Sequence, residues 1–138
     1  MRLRITTPLE IVVDEDDVRS VRAEDASGGF GIQPGHTEFL TVLAISVLGW
    51  KDADGMQHYC ALRRGVLTAD GAEVAVATRE AVAGDDLVTL EQTVLARFRA
   101  AVEAERSARV ETTRMQLEAI RRMASRLQPA SGNPGLSS

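Results

Sequence analysis

Up to about Val82, apolar residues come in short runs that alternate with polar ones or are rich in β-branched side chains: LRIT at Leu3–Thr6, LEIVV at Leu9–Val13, DVRSVRAE at Asp17–Glu24, then AISVLGW, MQHYCALR, GVLTA and AEVAVAT. A period of two puts successive side chains on opposite faces of a strand, so these runs predict β-strands. Turn-forming residues punctuate them at Pro8, DEDD (Asp14–Asp17), SGG, PGH, DADG (Asp52–Gly55) and ADG (Ala69–Gly71). Short strands at close spacing predict an antiparallel sandwich or barrel. In DVRSVRAE, Val18, Val21 and Ala23 do not alternate cleanly with Arg19 and Arg22, which predicts a bulge.

From Asp85 the period lengthens. Gly84 ends the strand pattern, Asp85 or Asp86 can cap a helix, and neither Gly nor Pro recurs before Pro129. One helical face carries Leu87, Leu90, Val94, Phe98 and Ala101; a second carries Val110, Thr113, Leu117, Ile120, Ala124 and Leu127. Between them, EAERSAR has only alanines as apolar residues. A hairpin, whose two stripes cover each other, and one long helix, whose second stripe needs another protein, are both open to this segment. The run PASGNPGLSS reads as a flexible tail. The predicted organisation is thus a β-domain at 1–84, a helical domain at 85–128 and a tail at 129–138.

Composition narrows the function classes. The chain has 138 residues, 44% of them apolar and 26% charged, which suits one compact domain with an appendage and excludes a multi-lobed enzyme. A single cysteine, Cys60, excludes an internal disulfide. The amino-terminal segment lacks a signal-peptide core, and the most apolar run, Leu40–Trp50, is shorter than the roughly 20 residues of a membrane span, so no crossing of a membrane is expected. The net charge of −4 argues against general nucleic-acid binding, but it is unevenly spread. Residues 1–90 hold 8 basic and 15 acidic side chains (−7), and residues 91–138 hold 8 and 5 (+3), so the two parts face different partners.

Candidate chemistry is sparse. His36, His58 and Cys60 are too few and wrongly spaced for a structural zinc site, and no metal is expected. On a strand, His58 and Cys60 share a face, where packing is the ordinary role; a Cys–His nucleophilic pair needs contact and an orienting group besides. DEDD lacks the spacing of a calcium loop, and no Walker, Rossmann or nucleophile-elbow motif occurs. Arg114, Arg121, Arg122 and Arg126 form either a solvated helix face or a basic stripe for an acidic partner.

Taken in order, LRITTP (Leu3–Pro8), VRSVRAE (Val18–Glu24), GGFGIQPGH (Gly28–His36) and ALRRGVLTADGAEVAVATREAVAGDDL (Ala61–Leu87), followed by two amphipathic stripes, make a chain that resembles the epsilon subunit of rotary F-type ATP synthases from Leu3 to about Leu127. VATREAVAGDDL and TVLARFRAAVEAERSAR look more similar to the alternate, often sodium-translocating branch. The resemblance implies an α+β chain: a β-sandwich of about ten short antiparallel strands, then a two-helix hairpin. It implies a non-catalytic central-stalk subunit with gamma and the c-ring as partners, membrane association only through the complex, and a place on the cytoplasmic face of the plasma membrane. Phe30, Gln33, Pro34, Gly35, His36 and Glu38 would then dock on the rotor, with the glycines of GGFGIQPGH supplying backbone angles for a rigid loop. The basic stripe would meet the beta subunits and restrain hydrolysis. Three departures from the family pattern are Gln33 in place of an apolar residue, Arg64 in place of the first of two glycines, and ARFRAAV without the aspartate of nucleotide-binding members; no cofactor or nucleotide is expected. A free-standing β-sandwich adaptor with a helical dimerisation arm is the alternative.

Overall fold

The structure, a computed structural model, describes residues 1–127, so the expected tail at 129–138 and the end of the predicted helical domain lie outside the described residues. Ten strands precede the helical region: β1 (Arg2–Thr6), β2 (Ile11–Glu15), β3 (Ser20–Asp25), β4 (Gly28–Ile32), β5 (Phe39–Leu43), β6 (Ser46–Lys51), β7 (Gln57–Leu62), β8 (Gly65–Ala69), β9 (Glu73–Ala77) and β10 (Ala81–Gly84). Hydrogen bonding runs β10-β7-β6-β3-β5-β8-β9-β1-β2, with β4 on β3. β3 and β5 share one register pair, Asp25 opposite Leu43, where the path bends into a second layer; its ends, β10 and β2, lie against each other. Inward residues alternate along each strand, as in β1 (Leu3, Ile5), β6 (Leu48, Trp50) and β9 (Val74, Val76), and fill one core.

Several expectations are corrected. The pairs are not all antiparallel: β1 runs parallel to β9, Leu3 opposite Val74 and Ile5 opposite Val76. Parallel neighbours need a long crossover, and the whole stretch from β2 to β8 supplies it. β3 alternates cleanly, with Val21 and Ala23 inward, because Val18 precedes the strand; the register irregularity falls instead between Ile5 and Thr6. GGFGI is a strand paired to β3 rather than a loop. Its glycines differ: Gly28 has φ +118°, whereas Gly29 and Gly31 have no positive φ and would meet only ordinary contacts with a Cβ.

Beyond Gly84 the chain turns helical. Asp86 caps α1 (Leu87–Thr89), its carboxylate accepting from the amides of Val88 and Thr89. A π-helical stretch, Leu90–Leu95, leads into α2 (Ala96–Leu127). Leu90, Val94, Leu95 and Phe98 bury themselves against Ala61 and the half-buried Val47, Tyr59 and Val82. β7 is therefore covered on both sides, Cys60 and Leu62 facing the sandwich interior and Tyr59 and Ala61 facing the helical segment. The expected hairpin is absent from the described residues: α2 is one unbroken helix of 32 residues. No Gly or Pro interrupts it, and the Ala-, Glu- and Arg-rich interval that separates the stripes favours helix, so nothing local forces a turn. Contacts divide the chain into two compact units, Met1–Ala100 and the part from Ala101 onward.

Candidate functional site

At one end of the sandwich, the segment linking β4 to β5 is built by backbone bonds. The His36 amide donates to the Gln33 carbonyl at 3.1 Å, closing a turn over Pro34 and Gly35. Gly35 has φ +83°, a left-handed conformation that a side chain would oppose, and its amide donates at 3.0 Å to Gly71 in the β8–β9 turn. That turn is held by Asp70, whose carboxylate accepts from the amides of Ala72 and Glu73 and is thereby kept below the usual carboxylate pKa. Two turns thus brace each other, and the exposed Gln33, Pro34, Gly35, His36 and Glu38 ride on a stiff support. His36 places its ring 5.0 Å from that of Phe39, which meets Phe30 edge-on at 5.9 Å. Phe30 is half-buried against the main core, so it anchors the loop rather than standing out from it.

Next to this loop lies an apolar surface that has no motif to mark it in the sequence. On the outer face of β5 and β8, Leu40 is 66% exposed, Val42 63% and Val66 41%. Register sets Val42 opposite Val66 and Leu40 opposite Thr68, and carries these rows on to Ala77 and Ala75. The signal was present in FLTVL, where apolar residues occupy both faces of one strand: Leu43 points inward while Leu40 and Val42 point out. At the edge of the patch, Glu38, Asp70 and Glu73 line an acidic depression. An apolar patch with a polar rim on a rigid end of a sandwich suits docking of another protein.

The remaining candidates fall elsewhere. Arg114, Arg121, Arg122 and Arg126 are all exposed on α2 but do not make one row. At 100° per residue, Arg114 and Arg121 flank the apolar side while Arg122 and Arg126 lie about a quarter-turn or more further round. Arg114 is held by Glu111 at 2.6 and 2.8 Å, and Arg122 lies 3.9 Å from Glu118. Val110, Leu117, Ile120 and Leu127 of the same helix are exposed. The Cys–His pair is no nucleophile: burial pushes the Cys60 thiol up to about 12, and both His58 nitrogens are taken by carboxylates, Nε2 by Asp52 at 2.7 Å and Nδ1 by Asp85 at 3.0 Å.

Comparison with known proteins decides what this scaffold is. Residues 1–84 match the family described as ATP synthase, Delta/Epsilon chain, beta-sandwich domain. ATP synthase epsilon chain 2 of Cereibacter sphaeroides is 47% identical over 133 residues, covering 96% of this chain and 91% of that one. The chain belongs to the epsilon-chain family of F-type ATP synthases.

A second relative in this family, ATP synthase epsilon chain 2 of Paraburkholderia xenovorans, is 39% identical over 134 residues and 96% of each chain. Among solved structures, a chain of the Euglena gracilis mitochondrial ATP synthase (OSCP/F1/c-ring) superposes with a TM-score of 0.58 at 22% identity, covering 76% of this chain and 62% of that one. A chain from the Tetrahymena thermophila mitochondrial ATP synthase central stalk and c-ring gives 0.52 at 16% identity, covering 74% and 90%. At those identities the likeness is one of fold. Epsilon chains are non-catalytic subunits of the rotary complex. No helix among the described residues is long and apolar enough to cross a membrane.

Proposed function

We propose that this chain is the central-stalk subunit that links gamma to the c-ring, on the cytoplasmic face of the plasma membrane. The observation that carries the reading is 47% identity over nearly the whole chain to an ATP synthase epsilon chain. In this reading the braced Gln33–Glu38 loop and the Leu40, Val42 and Val66 patch dock on the rotor, since torque transfer needs a stiff surface rather than a catalytic pKa. The sandwich of residues 1–84 is the docking domain and residues 85–128 are regulatory. A tagged chain extracted gently from membranes should bring down gamma, alpha, beta and ring subunits together; recovery of the chain alone would overturn the assignment.

The helix carries a second part of the proposal. As one extended helix it presents Arg114, Arg121, Arg122 and Arg126 to acidic loops of the beta subunits and restrains hydrolysis; refolding to a hairpin withdraws them. Truncation after Ala100 is the right test, because an earlier cut would remove Leu90, Val94, Leu95 and Phe98 from the packed face of β7. Hydrolysis by the truncated complex should rise, and inhibition by the full chain should weaken with added salt, which screens exposed charges. Unchanged hydrolysis would remove the inhibitory role and leave the docking role standing. The exposed Val110, Leu117, Ile120 and Leu127 favour, as a second reading, a helical dimerisation arm, which sedimentation of the isolated chain would reveal as a dimer.

A further inference from the structure

At the junction of sheet and helix, His58 of β7 sits between two carboxylates. Its Nε2 is 2.7 Å from Asp52 Oδ2, in the β6–β7 turn, and its Nδ1 is 3.0 Å from Asp85 Oδ1, between β10 and α1. A carboxylate only accepts, and a neutral imidazole has a single N–H. Both contacts are hydrogen bonds only while the ring carries two protons. Removing one proton turns one contact into two facing lone pairs. We propose that His58 is a proton-operated latch holding the root of the carboxyl-terminal helix to the sandwich, closed when the imidazole is doubly protonated and released when it is neutral.

The two carboxylates are not equivalent. Asp52 is fixed by amides of Asp54 and Met56, each donating at 2.9 Å, and its side chain is 24% exposed. Asp85 is 80% exposed, so the bond to Asp85 is the one that opens. Asp85 directly precedes Asp86, whose carboxylate accepts from Val88, Thr89 and the Thr89 hydroxyl; one turn later the helix buries Leu90 and Val94. Releasing Asp85 thus removes the side-chain tether one residue before the cap that starts the segment packed on β7, while the cap itself stays made. The other groups around the ring favour the closed form. Trp50 of β6 stacks on it at 5.6 Å and donates its indole N–H to Glu15 of β2 at 2.9 Å. The depression at the ring is lined by Asp14, Glu15, Tyr59 and Asp85 and, among the described residues, by no Lys or Arg; Asp14 is already paired with Arg2 at 2.9 Å. The bonds to Asp52 and Asp85 raise the imidazole above its ordinary 6.5, and burial opposes them only in part. A raised histidine contributes stability that is complete below 6.5 and is lost as pH rises through the native value. The latch therefore opens toward alkaline pH.

The test uses the full chain, following the His58 ring by NMR and amide hydrogen exchange of Leu90–Phe98, corrected for intrinsic rate, from mildly acid to mildly alkaline pH. His58 should titrate above 6.5, and protection of Leu90–Phe98 should fall roughly two- to fivefold across that titration, as expected for a partly exposed ion pair. Asp85→Asn should lower the titration point and abolish the step, and His58→Gln should show no step, while inner amides of β1 and β9 stay unchanged in both. The latch is refuted by titration at or below 6.5, by pH-independent protection of Leu90–Phe98, or by a step that survives in Asp85→Asn.

Discussion

Replacing Phe98 by alanine tests whether the start of the helical region belongs to the β-domain. Phe98 is 1% exposed and closes a cluster with Ala61, Leu90, Val94 and Leu95 on the outer side of β7. Burying each large apolar side chain contributes about 1.5–3 kcal/mol, so four of them hold this segment down. Phe98 is the largest, and truncating it removes both its buried area and the contacts across the void, at a cost of about 3–5 kcal/mol for a Phe→Ala change in a packed site. With a urea dependence of about 1–3 kcal/mol per molar for a small domain, the midpoint should fall by more than 1 M. Trp50, the sole tryptophan and 3% exposed in the main core, reports sandwich unfolding by fluorescence, and hydrogen exchange of Leu90–Leu95 reports the helical segment. If the segment unlatches on its own, exchange rises before the tryptophan signal changes; if it unfolds with the sandwich, both move. A loss below about 1 kcal/mol in both probes would refute the packing assigned to Phe98. Phe98→Leu keeps most of the apolar area and should recover much of the loss.

Other expectations follow from single contacts. A Cβ at Gly65 would stand 2.6 Å from the Ala77 carbonyl, a backbone atom that cannot swing away, so Gly65→Ala should lower the melting temperature by several degrees in calorimetry; an unchanged value would contradict the close β8–β9 approach. Asp25, Asp52, Asp70 and Asp86 are all held below the ordinary 3.8, chiefly by hydrogen bonds from Ser27, His58, the Ala72 amide and Thr89 respectively. Groups lowered in the native state contribute stability above 3.8 that is lost as pH falls through their native values, so acid scans should show a falling melting temperature there, and Asp70→Asn should flatten the slope. Leu40→Asp combined with Val42→Asp, both at exposed positions, should leave the melting temperature nearly unchanged and reduce recovery of gamma in copurification; full recovery would remove the patch from the docking surface.

Much of this protein was legible in the order of its residues. Period-two runs marked most strands, and Gly84–Asp86 marked the change to helix, because alternation and capping are local properties that a short stretch expresses by itself. The PGH turn was legible for the same reason, since Pro34 and Gly35 restrict or extend their own backbone angles. Other features had no local signature. β5 shows no clean alternation because apolar residues occupy both of its faces, and GGFGI reads as a loop because a glycine-rich strand is recognised only by its pairing with β3. Likewise, the hairpin and the long helix share one sequence pattern, and the choice between them rests on what covers the second apolar stripe.

Local residue patterns suffice for a β-domain followed by amphipathic helix, for a sequence without familiar catalytic motifs, and for family membership through the order of its motifs. Closure of the fold in three dimensions is what sets β1 parallel to β9, gathers Leu40, Val42 and Val66 beside the braced loop, and brings His58 to Asp52 and Asp85. Asp85 lies 27 residues from His58, and β1 lies some seventy from β9. Contacts at such separations are set by how the layers close over a shared core, a balance of burial against chain entropy over the whole domain that no single stretch of residues carries.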